Sequence, residues 1–170
     1  MSQYHRTTRE CSLAELLPEL AEAIRSYAQQ QQWVNLEVEV LACCETTAER
    51  TSTNLLEAWL NAGTPTLSHL ALIATSERLI WASSNDHVPA SVASAKYTEM
   101  RLKLSTPKNT AGIAVDIYAR MERTHEKTGG RLMLEDNSAA REFCEKVKRA
   151  TDPLYPPAAE KPRRKWLGKF

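Results

Sequence analysis

The side chains best suited to chemistry in this 170-residue chain are four histidines and four cysteines, and their spacing favours no metal centre. The histidines lack the His-x-x-x-His spacing that places two imidazoles on one helix face. Two cysteines are adjacent, and adjacent residues of a strand point to opposite faces. We therefore predict no metal and no cofactor, and free thiols in a reducing compartment. The residues are His5, His69, His87, His125, Cys11, Cys43, Cys44 and Cys144.

No set of residues predicts a catalytic site. His69 falls in a predicted central strand, where a histidine with its hydrogen bonds satisfied is the common case. Asp86 and His87 fall in a predicted loop, but no nucleophile accompanies them. There is no Gly-x-Ser-x-Gly motif and no phosphate-binding glycine loop, and the chain has only five glycines. We predict that the protein is not an enzyme; a loop site around Asp86 and His87 is the least supported hypothesis.

Positive charge is concentrated at the C-terminal end of the sequence. Residues 161–170 contain five of the 22 Lys and Arg residues and no acid, so the other 17 cations stand against all 21 acids in residues 1–160. Cations beside aromatic anchors suit an anionic membrane surface or a protein partner, whereas one short run weighs against nucleic acid. The alternative is a solubilising tail. The predicted binding residues are Lys161, Arg163, Arg164, Lys165, Trp166, Lys169 and Phe170.

The first part of the chain predicts one helix. Residues 1–11 look like a loose polar start, and residues 12–15 have the form of a capping box. Apolar residues at helical spacing follow, including Leu16, Leu20 and Ile24. Pro18 interrupts them, so the helix either kinks there or begins near Leu17. Its apolar stripe packs on the domain or, alternatively, binds a partner or a second copy.

The middle of the chain predicts strands. Residues 36–44 alternate as a strand with one wet face, and residues 45–53 are a loop or its continuation. A short helix is predicted over 54–62. Residues 67–83 form the central hairpin. Its first strand is apolar at every position from 70 to 74, so both of its faces should be covered. Residues 83–95, with Pro89, form a loop or a short edge strand.

The last part predicts three more strands and a helix. Residues 97–104, 113–121 and 131–135 alternate, with Met100, Leu102 and Leu104 inward in the first. A helix then opens at one of residues 136–138 and stops at 152–153. Six strands that each bury one face should pack as two sheets, with the helix covering an open end. Its apolar stripe consists of Ala140, Phe143, Val147 and Ala150.

From residue 36 to 151 the chain resembles the bacterial pleckstrin-homology-like (PH/GRAM-like) domains. The resemblance is carried by Ala-Thr-Ser-Glu-Arg-Leu-Ile-Trp at 74–81 and by the strand 131–136 followed by the helical 139–147. It implies a seven-stranded barrel of two packed antiparallel sheets capped by a C-terminal amphipathic helix, with the seventh strand from 45–53 or 89–95. Family members bind phosphoinositides or proteins. Lipid-binding members carry Lys and Arg between the first two strands, whereas this chain has Glu45, Glu49 and Arg50 in that region, which weighs against a phosphoinositide pocket there.

These observations predict an α+β protein in three parts: residues 1–32 with the extra N-terminal helix, the PH-like domain over 33–151, and a proline-rich linker and basic tail over 152–170. The predicted function is a non-enzymatic PH-like module docking a protein partner or an anionic membrane surface. The alternative is an assembly subunit that forms a homo-oligomer through its first helix and strand edges. With no apolar run of about 20 residues and no signal peptide, we expect a cytoplasmic protein, peripheral to the membrane if it binds lipid.

Overall fold

The computed structural model describes residues 3–51, 64–107 and 112–152. Within these ranges the chain forms eight strands and three α-helices, with 3-10 turns at Leu13–Glu15 and Tyr97–Glu99. The strands are β1 Gln3–Glu10, β2 Ala42–Thr51, β3 Leu67–Ala74, β4 Arg78–Asn85, β5 Val88–Lys96, β6 Met100–Ser105, β7 Ile113–Arg120 and β8 Lys127–Leu134. The helices are α1 Pro18–Gln30, α2 Leu36–Glu39 and α3 Ser138–Thr151.

The strands form two antiparallel sheets. The first has the order β1-β2-β3-β4-β5 and the second the order β6-β7-β8, so each strand lies beside its neighbour in the chain. The β3–β4 and β4–β5 connections are short turns, whereas α1 and α2 lie between β1 and β2. The predicted α+β class, with two antiparallel sheets and a C-terminal helix, is confirmed.

The predicted central hairpin is confirmed as β3 and β4. Leu72 lies opposite Trp81, and Thr75 shapes the turn by accepting hydrogen bonds at Oγ1 from the backbone N–H groups of Glu77 and Arg78, at 3.3 and 3.1 Å. Successive residues of β3 point to opposite faces, yet Ala71 to Ala74 are all buried. The five-stranded sheet is therefore covered on both faces at its centre, as the sequence predicted.

The inner face of the five-stranded sheet packs against the second sheet and α3. Asn137 caps α3 by accepting the Ala140 N–H at 3.0 Å, which fixes where the helix begins. The helix buries its predicted stripe, with Phe143 and Val147 each 3% exposed. The main core residues around them are Leu72, Leu79, Ala95, Tyr97, Met100, Ile113, Val115, Ile117 and Leu134.

The outer face of the same sheet packs against α1. Leu16, Leu20 and Ile24 are buried there, in a second cluster that includes Ile73 and Ile80. The helix begins at Pro18, after a separate 3-10 turn with a capping box on Ser12, so the later of the two predicted starts is confirmed. A proline at the first helical position costs little, because its missing N–H would have no partner in the helix. The stripe thus packs on its own domain.

Two predictions about strands are wrong. Residues 3–10 are not a loose start, because β1 pairs along its length with β2. Residues 36–44 are not one strand: Asn35 adopts the left-handed region at φ 70°, α2 follows, and β2 begins only at Ala42. Val38 and Leu41, whose alternation suggested a strand, are exposed apolar residues.

The region between 45 and 53 is strand as far as Thr51, so one predicted source of an additional strand is confirmed, and β5 supplies the other. Glu45, Glu49 and Arg50 therefore lie within β2 rather than in a loop between two strands, so they say nothing about a phosphoinositide pocket in such a loop. The short helix predicted over 54–62 lies outside the described residues.

The two sheets also meet where β1 passes the end of β8. The Thr8 N–H donates to Glu135 Oε2 and the Glu135 N–H donates to Thr8 Oγ1, both at 2.9 Å. Asn137 Nδ2 donates to the Thr8 carbonyl at 2.7 Å. The first strand of one sheet is thereby fixed to the segment that leads from the other sheet into α3.

Candidate functional site

The sequence-predicted site residues are not brought together. The basic tail at 161–170 lies outside the described residues. Asp86 Oδ1 lies 3.7 Å from His87 Nε2, but Asp86 also accepts hydrogen bonds from the Thr66 hydroxyl and, at 3.0 Å, from the Thr66 N–H. These bonds lower the pKa of Asp86. That carboxylate therefore links the turn after β4 to the residue before β3, and His69 lies 3.3 Å from the Thr47 hydroxyl.

Within the described ranges, no group of three or more His, Cys, Asp or Glu side chains could hold a metal ion, and no helix is long and apolar enough to cross a membrane.

The first concave feature is a groove between β6 and α3. β6 is an edge strand, since it pairs with β7 on one side and with no other strand among the described residues. The groove has a volume of about 660 Å³. A second cavity, reaching Ser105 and Thr106 on one wall and Arg141 on the other, shares Leu104 and Glu145 with the first. The two cavities form one groove along the whole of β6, which we call the β6–α3 groove.

The β6–α3 groove has an apolar floor and a charged rim. Val147 and the half-buried Leu102 form the floor near the middle of the strand. Leu104, predicted to point into the core, is 37% exposed and lines the groove instead. The charged rim contains Arg101, Lys103, Glu145, Lys148 and Asp152.

An open strand edge offers unpaired backbone N–H and C=O groups, which bind another extended chain in the way that strands bind each other. Apolar positions beside the edge add contacts for alternate side chains of that chain. The β6–α3 groove therefore has the two elements that recognition of an extended peptide requires.

The second feature is the outer face of the three-stranded sheet, which we call the cationic face. The register aligns Arg101 with Tyr118 and Gly129 across the sheet, and Lys103 with Asp116 and Arg131. The next aligned pair is Arg120 and Lys127. Five cations thus share this face with one carboxylate, with Glu99 at its border.

The cationic face also has an exposed aromatic ring. Tyr118 is 60% exposed, and its ring lies across Gly129, where an added Cβ would come within 3.2 Å of Cδ1. Beside it, Arg131 holds Asp116 through two hydrogen bonds, at 2.5 and 3.0 Å. This pairing lowers the pKa of Asp116 and raises that of Arg131. Arg131 is therefore partly neutralised, and the other four cations carry most of the positive potential of the face.

Sequence reasoning identified the strands that carry these two features but not the features themselves. The outward position of Arg101 and Lys103 on β6 followed from alternation. β8, however, begins at Lys127 rather than at 131, through polar and glycine residues that have no apolar alternation. The alignment of Lys127 and Gly129 with β7 was therefore not predictable. Comparisons with protein-family models, with curated proteins and with solved structures find no match for this chain.

Proposed function

We propose that this protein is a non-enzymatic binding module of PH-like architecture that docks an extended segment of a protein partner in the β6–α3 groove. The observation that carries the proposal is the edge of β6, which no other strand of the described residues pairs with and which runs along a groove whose other wall is α3. An exposed edge invites unwanted pairing with other chains, so proteins usually cover or shorten it. An edge set beside an apolar floor is better explained as a recognition surface.

The PH-like part of the proposal is supported by the order of elements. When β1 is set aside, four strands of one sheet are followed by three of the other and then by a helix. This order supports the seven-stranded arrangement that the resemblance implies, with β1 as an additional strand. The contact of Thr8 with Glu135 and Asn137 joins the two sheets on one side and supports a barrel-like closure.

The proposed occupant is an extended peptide that pairs with β6 in an antiparallel or parallel sense. Along the six residues of β6, an added strand would span about 20 Å. Alternate side chains of the peptide would meet Leu102, Leu104 and Val147. The rim carries both signs of charge, so the apolar floor and the backbone, rather than net charge, would select the peptide.

The test is selection from a display library of random peptides long enough to pair with all six residues of β6. We expect selected peptides to carry apolar residues at alternate positions. Leu104→Asp should weaken their binding about tenfold or more, because a carboxylate on the floor must be desolvated. Tyr118→Ser, which removes an exposed side chain from the cationic face, is the matched control and should bind normally. Selected peptides that bind Leu104→Asp as tightly as the original protein would contradict the groove as the site.

The second candidate function is docking on an anionic membrane surface, and the cationic face favours it. Near such a surface each Lys or Arg contributes about 1 kcal/mol, so the four cations other than Arg131 would contribute about 4 kcal/mol before ordering costs. An exposed tyrosine suits the interface between lipid headgroups and water. The basic residues at 161–170 would add to this attraction. The self-assembly alternative has less support, because the stripe of α1 is buried within the chain.

Sedimentation with vesicles tests the membrane candidate. Vesicles rich in phosphatidylserine should capture the protein, and phosphatidylcholine vesicles should not. Arg120→Glu with Lys127→Glu should reduce capture strongly, whereas the same charge change at Arg25 and Arg149, which lie on α1 and α3, should have a smaller effect. Equal capture by both kinds of vesicle would exclude the candidate. Loss of capture only when 161–170 is removed would assign binding to the tail and exclude the cationic face.

A further inference from the structure

Two of the four cysteines lie side by side at the junction of β1 and β2. Glu10, the last residue of β1, is paired with Cys44, so the next residue, Cys11, stands opposite Cys43. The Cys11 N–H donates to the Cys43 carbonyl at 3.2 Å, which extends the β1–β2 pairing by one residue pair. The two Sγ atoms are 3.5 Å apart. Neighbouring strands therefore hold the two thiols in contact.

The two thiols differ in access to solvent. Cys43 is 3% exposed and belongs to the cluster between the five-stranded sheet and α1, whereas Cys11 is partly exposed. A hydrogen bond from the Cys43 thiol, reinforced by the Arg9 guanidinium, lowers the pKa of Cys11. The same contact, together with burial, raises the pKa of Cys43. A partly exposed thiol with a lowered pKa beside a buried thiol is the arrangement in which one cysteine reacts first and the second resolves the product.

We propose that Cys11 and Cys43 are a modification site, where a small-molecule disulfide such as glutathione disulfide converts the pair into a reversible intramolecular disulfide. The Cys11 thiolate attacks one sulfur of the small disulfide, forming a mixed disulfide and releasing one thiolate, which takes a proton from water. Cys43 then loses its proton to solvent and attacks Cys11 Sγ, releasing the second thiolate. Two protein thiols are oxidised, and one small disulfide is reduced to two thiols.

The other two cysteines provide an internal comparison. Cys44 and Cys144 are buried in the core between the two sheets and α3, and burial raises the pKa of Cys144 to about 11. Burial likewise raises the pKa of Cys44. Without an accessible thiolate, neither should react under conditions that oxidise Cys11. The reaction is therefore expected at one pair, although Cys43 and Cys44 are neighbours in the chain.

The disulfide would secure an edge strand. Among the strands that the structure describes, β1 pairs with β2 alone. It also carries the contacts of Thr8 with Glu135 and of Glu10 with Lys146 on α3, the latter at 3.1 Å. A covalent link between Cys11 and Cys43 would hold the C-terminal end of β1 in register. We expect amide hydrogen exchange in β1 to slow when the pair is oxidised, because opening of an edge strand from its end is prevented.

The experiment is incubation of the full chain in glutathione buffers of increasing oxidised fraction, followed by intact mass measurement and non-reducing peptide mapping. We expect a Cys11–Cys43 linked peptide and a mass loss of two hydrogens, both reversed by dithiothreitol. In Cys43→Ala the reaction should stop at the mixed disulfide, with glutathione attached to Cys11. Cys11→Ser should remain unmodified, and Cys144→Ser should behave like the original protein.

Peptide mapping of the original protein shows by itself whether the Cys11–Cys43 disulfide forms. The test therefore does not depend on whether Cys43→Ala folds. Absence of the linked peptide in fully oxidised buffer would overturn the proposal. So would attachment of glutathione to Cys43 in Cys11→Ser to the same extent as the original protein is oxidised, because the reaction would then not need the accessible thiol.

Discussion

At the scale of residues, the buried charges of this protein are engaged in structure. Arg78, from the turn that carried the family resemblance, is 8% exposed and lies over the Trp33 ring at 4.3 Å. Its Nε is 3.6 Å from Glu122 Oε2, which also accepts a hydrogen bond from Ser94 Oγ at 2.6 Å. Because a buried charge without partners is costly, these contacts give the arginine a structural role.

The Asp116–Arg131 pair on the cationic face predicts a pH dependence of stability. Its hydrogen bonds place the pKa of Asp116 in the folded protein below the ordinary 3.8. The stabilisation is therefore fully present above that pH and is lost as the pH falls through the lowered pKa. We expect Asp116→Asn to be less stable than the original protein at neutral pH, with the difference shrinking at an acidic pH below 3.8, where the carboxylate becomes protonated.

Urea unfolding at the two pH values measures this difference. Arg131→Gln is the matched variant, because it removes the partner and should likewise reduce the loss of stability on acidification. A stability difference between Asp116→Asn and the original protein that is the same at both pH values would show that the carboxylate is not held by the ion pair in the folded state.

At the scale of elements, the accuracy of sequence reasoning depended on how much apolar surface each element buries. The β3–β4 hairpin and α3 were predicted because their apolar patterns are long and regular. β1 was missed because most of its side chains are exposed and its place is set by backbone pairing with β2. At 36–44 the alternation of apolar residues suggested a strand. Asn35 adopts the left-handed region instead, and the residues after it form the helical turn α2.

The candidate sites were less predictable than the elements, for a related reason. A strand pattern indicates which side chains share a face, but not which edge stays open or which helix lies beside it. The β6–α3 groove depends on the packing of α3 across the end of the inner core, where Val147 reaches the floor. The contact of Cys11 with Cys43 depends on the register of β1, a strand that the sequence did not reveal.

At the scale of the whole molecule, the five-stranded sheet is the centre of a layered structure. α1 covers one face, while the second sheet and α3 cover the other, so two apolar clusters share β3 and β4 as their common wall. α3 belongs to the inner cluster and also contacts β1 through Lys146 and Glu10. Both clusters should therefore unfold together, because loss of either one uncovers the central strands.

Phe143 tests this cooperative arrangement, since it is the largest side chain of α3 in the inner cluster. Phe143→Ala should lower the free energy of unfolding by about 3–5 kcal/mol, because it leaves a cavity in a core that relaxes only partly. Phe143→Leu should cost less, and Arg149→Ala, at an exposed position of the same helix, should change stability by less than about 0.5 kcal/mol. Urea unfolding followed by circular dichroism and by tryptophan fluorescence should give one coincident transition for each variant. A cost for Phe143→Ala as small as that of Arg149→Ala would contradict the docking of α3, and separate transitions for the two signals would contradict the single cooperative unit.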